Sequence, residues 1–413
     1  MAVTVASLPS QIDIAIVGAG PQALTLVTHL LQKRQKLRHR FLVFDPSGSW
    51  MSRWQHQFDA LKISHLRSPA VHHPHPNPYA LREFAQEREN ELFPPYDLPG
   101  TKLFQEFCQD IICQWELQDS VVKASVTSIE LVSDWGYSRF RVSLQDGQSV
   151  IARRVVLATG AGKTITPNWV GKISSPYPQD RLCHSQEVDL RRLQMTGERV
   201  LIVGGGLTSG HLAVGAISHE AKVLLMPRRQ LQEKHFDAEP GWLGPKYLKG
   251  FWAELEWENR LELIQQARNG GSITPAMMTQ LRRLKREGKL TFYEQCQIVE
   301  AHWQGNSWQV YCDDGEEYKC DRIWYATGTR FDATTDPLFS NIIDAYPTPI
   351  VKGLPVLDEH LRWPGCELFV MGGLAALQLG PVARNLYGAR MASERIVPAL
   401  TKPSLGLSHA FAS

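Results

Sequence analysis

The chain has 413 residues, and a soft prior of about 150 residues per domain suggests two or three domains. Lys plus Arg number 44 and Asp plus Glu 42, a formal net charge of +2, which gives no electrostatic case for a nucleic-acid partner. Apolar residues make up 43% and the seven Cys include no C-x-x-C pair. With no apolar run near the ~18 residues of a membrane span and no basic-then-apolar leader, we expect a cytoplasmic globular protein. No membrane partner, disulfide framework, zinc ribbon or other metal site is expected.

Ile12 to Val17 is a short apolar, β-branched run of the kind that forms a buried parallel strand. Gly18-Ala-Gly20-Pro21-Gln22-Ala23 follows, the G-x-G-x-x-G/A spacing. Gly18 permits a tight turn, Gly20 lets backbone approach a pyrophosphate, and Ala23 is small enough for a helix to pack on the strand. Ala23, Val27, Leu30 and Leu31 then share one helical face, and the positive helix N-terminus meets the phosphates. A second strand, Phe41 to Phe44, ends in Asp45, where an acid accepts hydrogen bonds from a ribose diol.

Val155 to Leu157 is an apolar strand ending in Ala158-Thr159-Gly160, and Ile323 to Tyr325 ends in Ala326-Thr327-Gly328. Between them the first pattern recurs. Arg199 to Val203 leads into Gly204-Gly-Gly206-Leu-Thr208-Ser209, with Ser209 at the small third position. The next strand, Lys222 to Met226, ends in Pro227-Arg228-Arg229. Arginines there suit a 2′-phosphate, so the second site favours NADPH over NADH.

An insertion over about 230–289 carries an aromatic segment from Phe236 to Trp252, suited to capping a site and recognising a polar substrate. A helix is expected from Glu254 to Arg268, closed by Asn269-Gly270-Gly271. Another is expected from Thr274-Pro275, with Thr as N-cap, and its run Arg282 to Arg286 reads as a solvated face. Near the end, a strand Leu368 to Met371 precedes Gly372-Gly373 and a helix expected from Val382 to Ile396. The backbone around Gly373 to Leu379 is expected to reach a flavin ribityl chain. The tail after Pro398 is expected to be disordered.

With these residues the chain resembles the two-dinucleotide-domain flavoprotein monooxygenases. These include the flavin-containing monooxygenases, the Baeyer–Villiger enzymes and the ornithine and lysine N-hydroxylases. It is more loosely similar to the oxidative-stress-induced growth inhibitor proteins. The resemblance runs from about Gln11 to about Ile396 and rests on the two glycine loops and the two A-T-G strands. The flavin-containing monooxygenases carry F-x-G-x-x-x-H-x-x-x-(Y/F/D) before the second loop. Here His184 and Ser185 stand in place, while Pro178, Asp180 and Val188 replace the Phe, the Gly and the final aromatic.

The resemblance implies an α/β fold with two Rossmann-like domains. An FAD domain (1–163 and 330–413) would hold an inserted NADPH domain (164–329). FAD would sit at Gly18, Gly20, Pro21, Gln22, Ala23, Asp45, Thr159, Gly160, Gly373 and Leu379. NADPH would sit at Gly204, Gly206, Thr208, Ser209, Arg228, Arg229, Ala326, Thr327 and Gly328. The stretch after Asp45 would pass beside the flavin, making Trp50, Trp54, His65, Arg67 and Ser68 candidates to border it. His65, Arg67 and Ser68 are the candidate catalytic residues, and Arg67 would stabilise negative charge on reduced flavin. Adjacent His72, His73 and His75 lack Cys or carboxylate partners at ligand spacing. The implied activity is hydride transfer from NADPH to FAD, then oxygenation of a small amine or thioether through a C4a-hydroperoxyflavin. The alternatives are an NADPH-dependent flavin reductase or oxidase without oxygen insertion, and a non-catalytic redox sensor. Partners would be a small-molecule substrate and molecular oxygen.

Overall fold

A computed structural model describes residues 8–407 apart from 135, 136, 161 and 269. The Val-, Ile- and Leu-rich runs form two parallel sheets, because strands buried on both faces need apolar side chains on both. In the first sheet the order is Val121–Lys123, Phe41–Asp45, Gln11–Val17, Ser149–Leu157. Leu368–Val370 adds a parallel strand along the second half of Ser149–Leu157. Tyr137–Leu144 pairs antiparallel with its first half, and Val126–Asp134 lies outside that. The second sheet runs Leu182–His184, Arg322–Tyr325, Arg199–Val203, Lys222–Met226, Leu290–Phe292, all parallel. A three-stranded antiparallel sheet, Ile298–Trp303, Trp308–Cys312 and Glu317–Cys320, packs beside it.

The chain crosses between the two sheets twice. The outgoing Lys163–Thr164 and the returning Thr329–Arg330 lie side by side as a short antiparallel pair. Gly162 makes this possible, since a Cβ there would stand 2.5 Å from the Arg330 carbonyl oxygen.

Three expectations fail locally. The helix expected over Glu254–Arg268 starts three residues later, as Trp257–Arg268, and a further helix, Pro245–Ala253, occupies part of the segment read as a loop. Arg260 caps the break by donating to Glu254 O at 2.9 Å and Trp252 O at 3.0 Å. The C-terminal helix starts at Leu386 rather than Val382 and runs to Thr401, because Gly380, at φ +78°, opens a turn that occupies the intervening residues. The described part of the tail after Pro398, up to Leu407, is held in place, and residues 408–413 lie outside the described residues. A buried Glu367 accepts from Leu407 N at 2.8 Å, and Arg362 donates to Leu405 O at 3.0 Å.

The insertion also departs from a simple cap. Trp242, Leu248, Phe251, Leu261 and Ile264 join the hydrophobic core of the first sheet, not the second. Trp252 Nε1 donates to Gln378 O, Arg260 to Leu377 O, Arg268 to Pro381 O and Tyr387 Oη to Leu243 O. A segment that leaves the second sheet is therefore anchored on the first.

Candidate dinucleotide cleft

The two glycine loops are built alike. Gly18 N donates to Phe44 O at 2.8 Å, and Gly204 N to Met226 O at 3.2 Å. Gly18 adopts φ +100° and Gly204 φ +144°, backbone that strains any residue with a Cβ. A Cβ on Gly18 would lie 2.7 Å from Ala158 O, and one on Gly204 2.6 Å from Ala326 O. Each A-T-G strand end thus closes over the back of its own glycine loop. By contrast, a Cβ on Gly20 or Gly206 would meet nothing within 4 Å. These two glycines are the N-caps of the helices Pro21–Lys33 and Leu207–Ser218. Each helix therefore presents unsatisfied N–H groups to open space, the arrangement that receives a pyrophosphate. Ala23 and Ser209 are fully buried against their strands.

Other candidates converge on the first loop. Gly372, at φ +74°, comes within 4.0 Å of Gly160 Cα when a Cβ is placed on it. Gly373 has no room for a side chain, with the Phe331 ring 2.3 Å from its ideal Cβ. Gln22, buried in the first helical turn, donates to Ala383 O and Asn385 O, while its Oε1 has no partner among the described residues. Asp45 Oδ2 accepts from Ala19 N at 3.0 Å, and its Oδ1 from Ser47 N and Oγ. This fixes the carboxylate at the strand end while leaving oxygen lone pairs for a hydroxyl. Thr159 is half-buried and lies in the same loop.

Around the second loop, Arg228 is exposed at the strand end and Arg229 half-buried. Arg229 Nη2 lies 2.0 Å from an ideal Cβ on Gly270, and Gly271 packs 3.4 Å from Gly206 Cα by the same measure. The Gly270-Gly271 turn, with φ +64° and +98°, therefore sits beside the loop. Sequence reading saw only a helix stop there. Thr208 is half-buried on the first helical turn. Thr327 Oγ1 donates to Ile165 O, and Ile165 N to Gly328 O, tying the second strand end to the outgoing crossing. His184 is buried, packs edge-on against Tyr325 and accepts from Gln186 N at 3.1 Å.

The stretch after Asp45 behaves differently from expectation. Trp50 is a core residue whose indole N–H donates to Leu117 O at 2.9 Å. Trp54 stacks on Phe58 at 4.1 Å and packs on Phe104. Leu379 is fully buried in the core. Ser68 Oγ lies 3.1 Å from His72 Nδ1, and His65 stacks on Phe93 at 4.7 Å. Arg67 commits all five of its N–H donors within the protein. Its acceptors are His235 O, Asp237 Oδ1, Ser272 O, Lys234 O and Ser272 Oγ. A guanidinium has five donors, so none remains for a flavin or a phosphate. Arg67 is a clamp between the loop after Asp45 and the insertion.

That clamp belongs to a charge cluster the sequence did not reveal. Asp237 also meets Arg268 at 3.1 Å. Desolvation pushes its carboxyl up, but Arg268, Arg67 and Arg384 outweigh this and hold it below the ordinary range. Arg384 is open to solvent, yet desolvation by surrounding protein, then Arg268, pulls its pKa down to about 10. His211, on the helix after the second loop, is pushed down to about 4 by desolvation and then by His65, so His211 is neutral at pH 7. A separate cavity of about 800 Å³ lies at the other end of the first sheet, lined by Asp13, Arg40 and Arg153 among others. It is remote from both glycine loops, and the loops decide where the chemistry belongs.

Residues 15–162 match a family model described as FAD-NAD(P)-binding. The chain is 25% identical over 213 residues to L-lysine N6-monooxygenase from Escherichia coli, covering 46% of this chain and 48% of that protein. The match thus spans about half the relative's length. Among solved structures, ornithine N-hydroxylase KtzI from Kutzneria sp. 744, held with reduced FAD, NADP+ and L-ornithine, superposes with TM-score 0.77. It is 17% identical, over 94% of this chain and 99% of that one. The FAD-bound cadaverine monooxygenase DfoA from Erwinia amylovora gives 0.76 at 15% identity, over 98% and 99%. The chain has the fold of the two-dinucleotide-domain flavoprotein monooxygenases. No helix among the described residues is long and apolar enough to cross a membrane.

Proposed function

We propose that the chain is an FAD- and NADPH-dependent monooxygenase that N-hydroxylates a small primary amine. The observation that carries this reading is the pair of equivalent glycine loops, with an acid ending the second strand of one and arginines ending that of the other. The division into an FAD domain (1–163, 330–413) and an NADPH domain (164–329) is part of the reading, with the proviso that Trp242 to Ile264 pack on the FAD side. Both cradles fit their ligands: Gly20 and Gly206 open onto space, and Gln22 Oε1 and Ser209 Oγ are buried without a partner among the described residues.

In this reading Gly18 to Ala23 and Gly372-Gly373 bind the FAD diphosphate and ribityl chain, and Asp45 accepts from the adenosine ribose. Gly204 to Ser209 bind the NADPH diphosphate, and Arg228 or Arg229 the 2′-phosphate. Arg384 supplies positive charge to an anionic ligand group. Bound FAD supplies the redox chemistry, accepting hydride from NADPH and activating oxygen for transfer. The chain's own task is to hold, orient and exclude water, which Arg67 serves by pinning the insertion over the cleft. All seven Cys are free, in keeping with a cytoplasmic setting. Support for an amine comes from lysine, ornithine and cadaverine being named for the similar enzymes.

The test is incubation with NADPH, oxygen and a panel of primary amines and thioethers, read by mass spectrometry for addition of one oxygen. Hydroxylamine formation from an amine supports the reading. NADPH consumption with hydrogen peroxide as sole product across the panel supports an oxidase instead.

A further inference from the structure

A cysteine pair outside the cleft has no role in the chemistry above. Cys296 precedes the strand Ile298–Trp303, and Cys312 ends Trp308–Cys312. The fifteen residues between them spell no ligand motif, but the antiparallel hairpin folds them together. Ligand atoms of Cys296, Cys312 and Asp314 all lie within 4.8 Å of one another. A fourth donor stands behind them, with Cys312 Sγ 3.8 Å from Met226 Sδ. Both thiols are buried, and Asp314 is exposed at the hairpin turn. Its Oδ1 accepts from Glu316 N at 3.0 Å, which leaves Oδ2 for a ligand.

We propose that Cys296, Cys312, Met226 and Asp314 form a binding site for a thiophilic d¹⁰ cation, copper(I) or zinc(II). This goes beyond the flavin reading and does not depend on it. Sulfur donors about 2.3 Å from a tetrahedral metal stand about 3.8 Å apart, which is the observed Cys312–Met226 separation. Thiolate with thioether is the soft donor set that selects such ions. An ordinary thiol, with a pKa of about 8.5, carries its proton at pH 7. Loading one cation releases two protons and forms two metal–thiolate bonds, without change of oxidation state. Asp314 gives the ion an entry at the surface. The site is wired to the nucleotide loop, since the carbonyl of Met226 accepts from Gly204 N.

The test uses the reduced, flavin-loaded full chain. Zn²⁺, Cd²⁺ as a thiolate charge-transfer probe, and Cu⁺ delivered from a competing chelator are titrated separately. One equivalent with a cadmium–thiolate band is expected. Cys296→Ser and Cys312→Ser should each weaken binding by roughly 100-fold or more, at or beyond the top of the range for losing an outer-shell partner. Asp314→Asn, at an exposed turn, should weaken it by about 10-fold with unchanged folding, so a fold defect in the Cys variants does not blunt the test. Copper(I) held more tightly than zinc(II), with that preference lost in Met226→Leu, identifies copper(I); zinc(II) held more tightly, and weakened in Met226→Leu, identifies zinc(II); Met226→Leu without effect on either ion removes the thioether from the site. No retained metal, or affinity unchanged in both Cys variants, overturns the proposal.

Discussion

Arg67→Ala tests the clamp directly. The guanidinium donates to five acceptors on residues 234–237 and 272. Charge-assisted hydrogen bonds contribute about 1.5–3 kcal/mol each, but their sum overstates the loss because water replaces several. Breaking a buried ion pair costs about 3–5 kcal/mol when the remaining charge is stranded. Here Asp237 keeps Arg268 at 3.1 Å, and its side chain is 37% exposed against 13% for Arg67. Discounting for that leaves about 3 kcal/mol, or about 100-fold in a local opening equilibrium. The readout is amide hydrogen exchange of the ladder in which Lys234 N donates to Ile273 O and Ile273 N to Gln232 O. We predict exchange there about 100-fold faster in Arg67→Ala. Arg82→Ala, which removes an exposed pair with Asp97, should change nothing measurable. Exchange of these two amides within about three-fold of the parent protein would refute the clamp.

Other expectations follow from the same geometry. Gly18→Ala places a Cβ 2.7 Å from Ala158 O at φ +100°; it should cost about 1–3 kcal/mol or more of strain and yield protein with little bound flavin, measured by absorbance after gel filtration. Substituting Arg228 or Arg229 with Ala should raise KM for NADPH by about 10- to 100-fold for at least one of the two and leave KM for NADH nearly unchanged; equal effects on both nucleotides contradict the 2′-phosphate assignment. Burial holds His29 and His73 down to about 4 in the folded chain, against about 6.5 when unfolded. The unfolded chain therefore binds more protons between these values, and stability falls as pH drops from 6.5 towards 4. At pH 5 each costs about 2 kcal/mol. Thermal melts should drop on going from pH 7 to pH 5, and less so in His73→Gln.

The parts legible in the sequence are those set by local chain geometry. Strand, glycine turn and helix follow from residues 12–31, and again from 199–218, because turn, close approach and small-residue packing are all decided within a few positions. Asp45 and Arg228-Arg229 were legible as the ends of adjacent strands. Arg67 shows why the rest was not: its partner Asp237 is 170 residues away, and nothing in its local sequence marks a guanidinium with every donor spent. Trp50 and Trp54 sit in a Pro- and His-rich stretch that reads as a loop, yet Leu117 and Phe104 draw them into the core. The ordered tail depends on Glu367, a buried acid whose partners Arg362 and Leu407 lie on either side in the chain. Arg384 carries no motif at all; only the convergence of the insertion with the Gly380–Asn385 turn brings it to the charges of Asp237 and Arg268.

The most direct measurement is anaerobic mixing of the purified, flavin-loaded protein with NADPH and, separately, NADH, following the flavin absorbance. The account predicts one FAD per chain, full bleaching by NADPH, and reduction by NADH slower by at least about 10-fold at equal, sub-saturating concentration. A chain that holds no flavin, or whose flavin neither nucleotide reduces, contradicts it.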